Sequence, residues 1–269
     1  MKVVLVTGTT SGFGRMIAER LVARGHRVYG TCLPDFDGDR HSFGFPLLDL
    51  DVTADASVER CVAELVGEEG RIDVLINNAG VSIAGALEDT TIEEARWQME
   101  VNLFGPMRMV RAVLPHMRAQ GTGRILTTGS MGGHVGLPYQ SVYCAAKYGL
   151  EGINEALRLE LSGSGIDAAI ICPGDFNTGF TAARVYTGNA RSPTHARQIA
   201  ITMAIAEEDE KNSPDPGMVA DLYSRLVEAR TLRVRYFVGS FTQRASIFLK
   251  WLLPATLFER IMRINYRLP

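Results

Sequence analysis

Short apolar runs alternate with longer amphipathic stretches along the chain up to Gly179. Runs that are apolar without interruption, such as VVLV and VLI, are typical of parallel strands covered on both faces. The pattern predicts strands at Lys2–Val6, Arg27–Thr31, Arg71–Ile76, Arg124–Thr128 and Asp167–Ile171, with a weaker one at Phe45–Leu48. It predicts helices between them at Gly12–Arg24, Asp55–Glu69, Glu93–Met99, Gly105–Arg118 and Val142–Leu161. This alternation indicates an α/β fold, a single Rossmann-type doubly wound parallel sheet of about seven strands with helices on both faces.

The pattern changes after Gly179. Residues 181–211 are polar and rich in small side chains, and we expect a mobile substrate lid over about 179–212. The run Ser213-Pro-Asp-Pro-Gly217 is a strong breaker of regular structure. A helix at Met218–Ala229 and a strand at Arg233–Val238 are predicted to follow.

Residues 241–269 combine apolar and basic side chains and contain Pro254, which predicts a C-terminal extension of two short helices. Residues 231–269 hold seven Lys or Arg against one acid, Glu259, a local charge of +6. Two interpretations stay open for this segment. It packs over the substrate pocket or at a subunit contact, or it lies on an anionic membrane with Trp251, Leu252 and Phe258 inserted.

Composition narrows the class of protein. The 269 residues suit one domain over 1–269, with 46% apolar and 22% charged residues, as in ordinary globular proteins. A net charge of −2 gives no reason to expect a nucleic-acid partner. There is no pattern of a signal peptide and no apolar window long enough for a transmembrane helix. We expect a cytoplasmic protein, at most peripheral to a membrane.

The cysteines and histidines give no sign of a metal site or a disulfide framework. Cys32, Cys61, Cys144 and Cys172 are widely scattered, as is usual for reduced thiols. The five histidines form no H-E-x-x-H or similar motif, so no metal is expected.

A glycine-rich turn, TGTTSGFG at Thr7–Gly14, directly follows the first strand and opens the first helix. Glycines there let the backbone approach a pyrophosphate, which the positive end of the helix attracts. Between a strand and a helix, this turn favours dinucleotide binding over an ordinary loop.

Tyr143 and Lys147 are four residues apart on a predicted helix and therefore share a face. Because free tyrosine has a pKa near 10, a neighbouring ammonium is needed to make it a useful acid and base at neutral pH. With eight tyrosines and four lysines in 269 residues, such a pair is infrequent by chance.

Further motifs follow in order: Asn77-Asn-Ala-Gly80 after the fourth strand, Asn102, Ser130, Y-x-x-x-K at 143–147, and P-G-x-x-x-T at 173–178. Together with the glycine-rich turn they make the sequence resemble the single-domain branch of the short-chain dehydrogenase/reductase family. Residues 123–180 are most similar to hydroxysteroid and retinol dehydrogenase-like members.

The resemblance implies an NAD(P)-dependent oxidoreductase that moves a hydride between nicotinamide and a carbonyl/alcohol pair. Tyr143 is then the acid and base, and Ser130 hydrogen-bonds the reacting oxygen. Lys147 is expected to hold the nicotinamide ribose and lower the pKa of Tyr143, and Asn102 to anchor a water of the proton relay.

The resemblance also assigns a larger set to the cofactor: Thr7, Gly8, Thr10, Ser11, Gly12, Phe13, Gly14, Cys32, Leu33, Asp51, Val52, Asn78, Ala79, Gly80, Tyr143, Lys147, Pro173, Gly174, Phe176 and Thr178. The position that selects NAD or NADP is Cys32, followed by Leu33. An Asp at 32 favours NAD and an Arg at 33 favours NADP, and this chain has neither. The acids of the next loop favour NAD slightly, although they are equally consistent with plain solvation.

Four residues are candidate substrate contacts, with local packing as the alternative for each: His134, Tyr139, Phe180 and Tyr186. A lipophilic alcohol or ketone is the preferred substrate class. A small polar or carrier-bound carbonyl compound and a non-catalytic nucleotide sensor remain as alternatives, and a homodimer or homotetramer is expected.

Overall fold

The computed structural model describes residues 1–179, 183–187 and 194–269. Its strands are β1 (Val3–Val6), β2 (Arg27–Cys32), β3 (Leu47–Asp49), β4 (Val74–Asn77), β5 (Ile83–Ala84), β6 (Gly123–Thr128), β7 (Ile166–Pro173), β8 (Val185–Tyr186) and β9 (Arg235–Val238). Its helices are α1 (Gly12–Ala23), α2 (Asp55–Glu69), α3 (Ile92–Met99), α4 (Gly105–Gln120), α5 (Ser141–Glu160), α6 (Ala196–Lys211), α7 (Gly217–Glu228), α8 (Phe241–Leu252) and α9 (Ala255–Asn265).

Seven strands form one parallel sheet in the order β3-β2-β1-β4-β6-β7-β9. The chain first builds outward from β1 through β2 to β3, and then returns to build the other half from β4. The strand order therefore reverses between β1 and β4. In open α/β sheets a ligand crevice forms at this reversal, outside the carboxyl ends of the strands.

Helices cover both faces of the sheet because alternate residues of each strand point to opposite sides. Leu5 belongs to a core with side chains of α2 and α4, such as Leu65 and Met109. Its neighbour Val4 belongs to a second core with side chains of α1 and α7, such as Ile17. The uninterrupted apolar strands are thus explained by burial on both faces, and the predicted doubly wound α/β fold is confirmed.

The predicted strands and helices agree with the observed ones to within three residues at each boundary. Two features were not predicted. Residues 196–211 form helix α6, and β5 pairs with β8 in a separate two-stranded sheet. The buried positions of α6, Ile199, Thr202 and Met203, have helical spacing that the polar composition of this segment obscures.

The C-terminal segment forms the two short helices expected from Pro254, which lies directly before α9. Ile247 of α8 and Phe258 of α9 pack against Met131 and Val135 of the loop after β6. The expectation that Phe258 inserts into a membrane was wrong, because its side chain is buried in this cluster. No helix in the described part of the chain is long and apolar enough to cross a membrane.

Candidate active site

A cavity of about 550 Å³ lies at the carboxyl ends of the strands, where the strand order reverses. Most of the residues assigned from the sequence line it. They are Gly8, Thr10, Ser11, Gly12, Phe13, Cys32, Leu33, Asp51, Val52, Asn78, Ala79, Gly80, Ser130, Tyr143, Lys147, Pro173, Gly174, Phe176 and Thr178. Thr7, Gly14 and Asn102 lie behind this lining, where they hold it in shape.

The glycines of the glycine-rich turn allow backbone conformations with positive φ and the close approach of two backbone segments. Gly8 and Gly12 have φ of +69° and +57°, which side chains rarely adopt. A Cβ on Gly14 would overlap the carbonyl oxygen of Gly8, so only glycine allows α1 to begin this close to the turn. The resulting backbone forms one wall of the cavity at the N-terminus of α1, a place suited to a phosphate group.

Thr7 joins this turn to the segment after β4. Its buried hydroxyl accepts hydrogen bonds from the backbone N–H groups of Asn78 (2.9 Å) and Ala79 (3.0 Å). The Asn78 amide in turn donates to the carbonyl oxygens of Thr7 and Gly8, at 3.1 Å each. These bonds fix the two backbone segments that meet at the strand-order reversal.

Asn102 lies in a π-helical turn, Glu100–Phe104, between α3 and α4. Its buried amide pairs with the backbone of Val81, accepting from the N–H at 2.8 Å and donating to the carbonyl at 2.7 Å. Single π-helical turns inside helices are uncommon and are frequent at functional sites. Here the turn anchors the loop after Gly80 to the helix.

Tyr143 in the first turn of α5 lies against Ser130 at the end of β6. Burial raises the pKa of Tyr143 to about 12, and a hydrogen bond with Ser130 opposes this rise. The Ser130 oxygen also accepts a hydrogen bond of 3.0 Å from the Gly132 N–H, which holds its side chain. The site therefore contains a protonated phenol beside a positioned hydroxyl.

Lys147 lies one turn further along α5, with its Nζ 5.7 Å from the centre of the Tyr143 ring. The ammonium donates a hydrogen bond of 2.9 Å to the Thr128 carbonyl. Burial lowers the pKa of Lys147 to about 8. Ser130 and Arg184 oppose the rise in the Tyr143 pKa, and burial outweighs them; Lys147 is not among the groups that lower this pKa.

The end of β2 carries neither of the usual cofactor-selecting residues. Cys32 is buried, and Leu33 is 56% exposed at the cavity. Nearby, Arg40 donates to Asp49 at 2.6 Å, so the loop's arginine is paired with a carboxylate. Asp51 binds the backbone N–H of Thr53 at 2.9 Å and its hydroxyl at 2.7 Å.

The three candidate substrate contacts that lie among the described residues do not line the cavity. Phe180 lies outside the described residues. Tyr139 packs against Ile199 and Met203, and Tyr186 is exposed in β8; neither lines the cavity. His134 binds a buried carboxylate, Glu151, at 2.8 Å instead of facing the cavity.

Glu151 is the centre of a buried polar network. It accepts hydrogen bonds from His134, from the Cys172 thiol at 2.9 Å, and from Arg235 at 3.0 and 2.6 Å. His134, Glu151 and Cys172 have ligand atoms within 4.8 Å of one another. The Arg235 guanidinium already supplies the positive charge that this carboxylate needs, so the network explains the burial of Glu151 without a metal.

Several lining residues were missed by sequence reasoning. Leu137 and Gln140 come from the loop before α5, Arg184 and Asp209 from around α6, and Tyr266 from after α9. Arg184 and Asp209 fall in a segment whose helix was not predicted, and the other positions carry no motif. Only the folding of distant segments onto the cavity reveals them.

The end of the cavity lined by Asp175, Arg184, Asp209 and Glu210 is acidic. Burial raises the pKa of Asp175, and Asp209 adds to the rise, whereas the Gln243 amide (2.8 Å) and Arg184 oppose it. Burial also raises the pKa of Asp209. Glu210 lies 3.8 Å from Arg184. Arg184 thus lies near Glu210 and acts on the pKa of Asp175 at this end.

A second cavity, a groove of about 490 Å³, lies between the loop 136–138 and the last helix. Its lining is mainly apolar: Gly136, Leu137, Pro138, Glu259, Met262, Arg263, Tyr266, Leu268 and Pro269. Leu137 and Tyr266 also line the first cavity, so the two spaces are neighbours.

The family model described as short chain dehydrogenase matches residues 2–187. The chain is 38% identical to a 3-ketodihydrosphingosine reductase of Bacteroides thetaiotaomicron over 98% of both sequences. It is 34% identical to the 17-beta-hydroxysteroid dehydrogenase type 1 of Mus musculus, over 87% of this chain and 73% of that protein.

Among solved structures, a short-chain dehydrogenase from Streptomyces avermitilis superposes with a TM-score of 0.82, at 31% identity over 98% of this chain and 99% of that chain. The seven-stranded parallel sheet flanked by helices agrees with these matches. The chain belongs to the short-chain dehydrogenase/reductase family and is an NAD(P)-dependent oxidoreductase acting on CH–OH and C=O groups.

Proposed function

We propose that this enzyme reduces the ketone of a long-chain lipophilic substrate, with NAD(P)H as hydride donor. One observation carries the proposal. The cavity that holds Ser130 and Tyr143 is bordered at Leu137 and Tyr266 by an apolar groove, which suits an aliphatic chain attached to the reacting ketone.

Tyr143 and Ser130 act on the carbonyl oxygen. The hydroxyl of Ser130 hydrogen-bonds this oxygen and holds it within reach of the phenol. As the carbonyl carbon accepts the hydride, Tyr143 gives its proton to the oxygen, and the product is the secondary alcohol. The raised pKa of Tyr143 keeps the phenol protonated at neutral pH, which is the form that reduction requires.

Lys147 and Asn102 support this proton transfer. Lys147 holds the nicotinamide ribose and stabilises the phenolate that remains after the transfer, because its ammonium lies over the tyrosine ring. Asn102, fixed to Val81, anchors a water through which the proton is returned from solvent.

The residues of the glycine-rich turn fit a dinucleotide. Gly8, Gly12 and Gly14 leave a cradle that side chains would fill, and the N-terminus of α1 favours the pyrophosphate. Asp51 and Val52 would flank the adenine, Asn78 to Gly80 would line the cofactor, and Thr178 would contact it; all of them line the cavity. Arg40 is paired with Asp49 and is therefore less available to the 2′-phosphate of NADP, which favours NAD slightly.

The acidic end of the cavity supports a more specific substrate, a long-chain amino ketone of the kind named in the first relative above. A protonated amine beside the ketone would be stabilised by Asp175 and Asp209, whose pKa values are raised mainly by burial. Helix α6 supplies Asp209 to this end, and we infer that this helix belongs to a lid over the substrate.

A substrate panel tests this function. We would measure oxidation of NADH and NADPH with long-chain amino ketones, the same chains without the amine, steroid ketones, short ketones and carrier-bound 3-ketoacyl groups. The expected result is the highest kcat/KM for the long-chain amino ketone. In Asp209→Asn, kcat/KM should fall for the amino ketone and stay unchanged for the ketone without an amine. A preference for carrier-bound or short polar ketones would reject the proposal.

We also infer a homodimer or homotetramer and a peripheral contact with a membrane through residues 241–269. Sedimentation velocity over a range of protein concentrations tests the assembly, and a stable monomer at all concentrations would reject it.

A further inference from the structure

Helix α8 is attached to the protein by one face and leaves the opposite face apolar and exposed. Ile247 is buried against the loop after β6, and Lys250 reaches inward to the His134 carbonyl. Phe241, Phe248 and Leu252 follow one another at seven and four residues, and therefore share the outward face. Their side chains are 78%, 68% and 66% exposed.

Trp251 lies beside this face and is 79% exposed. Large apolar side chains in water are unremarkable when scattered, but a contiguous group of four on one helix marks an interaction surface. Since Trp favours the boundary between lipid and water, its place at the end of the row suits an interfacial helix.

Helix α9, which contacts α8, supplies positive charge. Arg260 and Arg263 are three residues apart on α9 and therefore neighbours on its surface, and Arg267 follows just after the helix; all three are exposed. Leu257 and Ile264, seven residues apart, are exposed beside them. Over residues 241–269 five Lys or Arg stand against one acid, Glu259.

We propose that the outward faces of α8 and α9, defined as the docking face (Phe241, Arg244, Phe248, Trp251, Leu252, Arg260, Ile264 and Arg267), lie on an anionic lipid bilayer. The apolar rings and Leu252 enter the acyl boundary, and the arginines lie among the phosphate groups. The charge of the segment opposes that of the lipid, which favours a membrane over a second copy of this same basic surface. Helices of 12 and 11 residues are too short to span the bilayer, so the contact is interfacial.

The docking face is next to the route to the catalytic tyrosine. Glu259, Met262 and Arg263 of α9 line the apolar groove, which meets the catalytic cavity at Leu137 and Tyr266. A chain leaving the bilayer at α9 would enter this groove and reach Tyr143 without crossing water. This delivery of substrate rests on the proposed function, whereas the contact with lipid does not.

The test is co-sedimentation of the full chain with vesicles of phosphatidylcholine, with and without phosphatidylglycerol, at low and high salt. We expect strong binding to the anionic vesicles, weakened by salt. The double variant Phe248→Ser/Trp251→Ser should lower the partition coefficient at least about tenfold. Reversing charge with Arg244→Glu/Arg260→Glu should lower it at least about fivefold per residue.

Matched controls distinguish binding through the docking face from nonspecific binding through other exposed side chains. Leu159→Ser removes an equally exposed apolar side chain, 79% exposed on α5, and Arg111→Glu/Arg118→Glu reverses two charges on α4. Both controls should bind vesicles as the wild type does. Equal, negligible binding of the wild type to both vesicle types would overturn the proposal, as would undiminished binding by the α8 variant.

A second measurement distinguishes a membrane from a second copy of the chain as the partner of the docking face. It also separates failure of the membrane proposal from failure of the proposed function. If sedimentation velocity shows a wild-type dimer that Phe248→Ser/Trp251→Ser dissociates, the face is a contact between copies and the membrane proposal fails. Reduction of a short, water-soluble ketone should be unchanged in the variants, because it needs no delivery from lipid. If the wild type reduces long-chain ketones but does not bind vesicles, the membrane contact alone is rejected, whereas vesicle binding by the wild type without reduction of long-chain ketones rejects the proposed substrate alone.

Discussion

The ammonium of Lys147 lies 5.7 Å from the centre of the Tyr143 ring, one helical turn away along α5. Lys147 is buried and Tyr143 is partly buried, and burial shifts their pKa values in opposite directions. It raises the pKa of Tyr143 to about 12 and lowers that of Lys147 to about 8. At neutral pH the chain therefore holds a protonated phenol, ready to donate, beside an ammonium that readily gives up its own proton.

This arrangement predicts different pH dependence for the two reaction directions. Reduction uses the phenol, so its kcat should change little between about pH 6 and about pH 8. Oxidation uses the phenolate, whose fraction grows by about tenfold per pH unit below the pKa, so its rate should rise over the same range. Initial rates with saturating cofactor in both directions check this. A reduction rate that climbs with pH would contradict the raised pKa of Tyr143.

The lowered pKa of Lys147 also predicts a pH-dependent stability. Between pH 8 and 10.5 the unfolded chain binds a proton at this residue that the folded chain does not hold, so stability attributable to Lys147 rises with pH. The free energy of unfolding of the wild type, minus that of Lys147→Met, should increase by about 3 kcal/mol across this window. Urea unfolding at a series of pH values measures it. If the free energies of unfolding of the two proteins changed with pH in parallel, burial would not shift the pKa of Lys147.

Leu33 offers a way to change the cofactor preference. It is exposed at the cavity, where a guanidinium can pair with a 2′-phosphate. Leu33→Arg should raise the ratio of kcat/KM with NADPH to that with NADH by about tenfold or more. Leu159→Arg, an exposed position on α5 outside the cavity, is the control and should leave the ratio unchanged. An unchanged ratio in Leu33→Arg would show that Leu33 does not lie at the ribose.

Gly14 tests the packing of the glycine-rich turn. Because a Cβ there overlaps the Gly8 carbonyl, Gly14→Ala should destabilise the fold by about 1–3 kcal/mol or more and weaken cofactor binding. Gly152→Ala, an exposed position of α5 with open space around it, is the matched control. It should leave cofactor affinity unchanged and keep or raise stability. Thermal unfolding and fluorescence titration with NADH compare the two. Wild-type affinity and stability in Gly14→Ala would contradict the close approach of turn and helix.

The sheet could be predicted because its cause is local. Val3–Val6 and residues 74–76 are apolar without interruption, since helices cover both faces, and glycines mark the turn before α1. The catalytic residues could be predicted because Ser130, Tyr143 and Lys147 occur in recognisable motifs. Their positions around one cavity agree with that expectation, while their individual roles stay predictions.

The end of the cavity lined by Asp209 and Tyr266 could not be predicted, because it is assembled from distant parts of the chain. Tyr266 reaches the cavity only because α8 and α9 fold back onto the loop after β6. His134 shows the reverse case. Its position near Ser130 in sequence suggested a substrate contact, but the buried carboxylate of Glu151 binds it, since a buried charge needs hydrogen-bond partners.

The most direct test of the acid–base account is Tyr143→Phe, which removes one oxygen and keeps the ring. We expect kcat for ketone reduction to fall by at least about 100-fold. The dissociation constant for NADH or NADPH, from fluorescence titration, should stay near the wild-type value. Tyr148→Phe on the same helix, outside the cavity, is the control and should keep wild-type activity. Retention of more than about a tenth of the wild-type kcat by Tyr143→Phe would contradict the central role of this phenol.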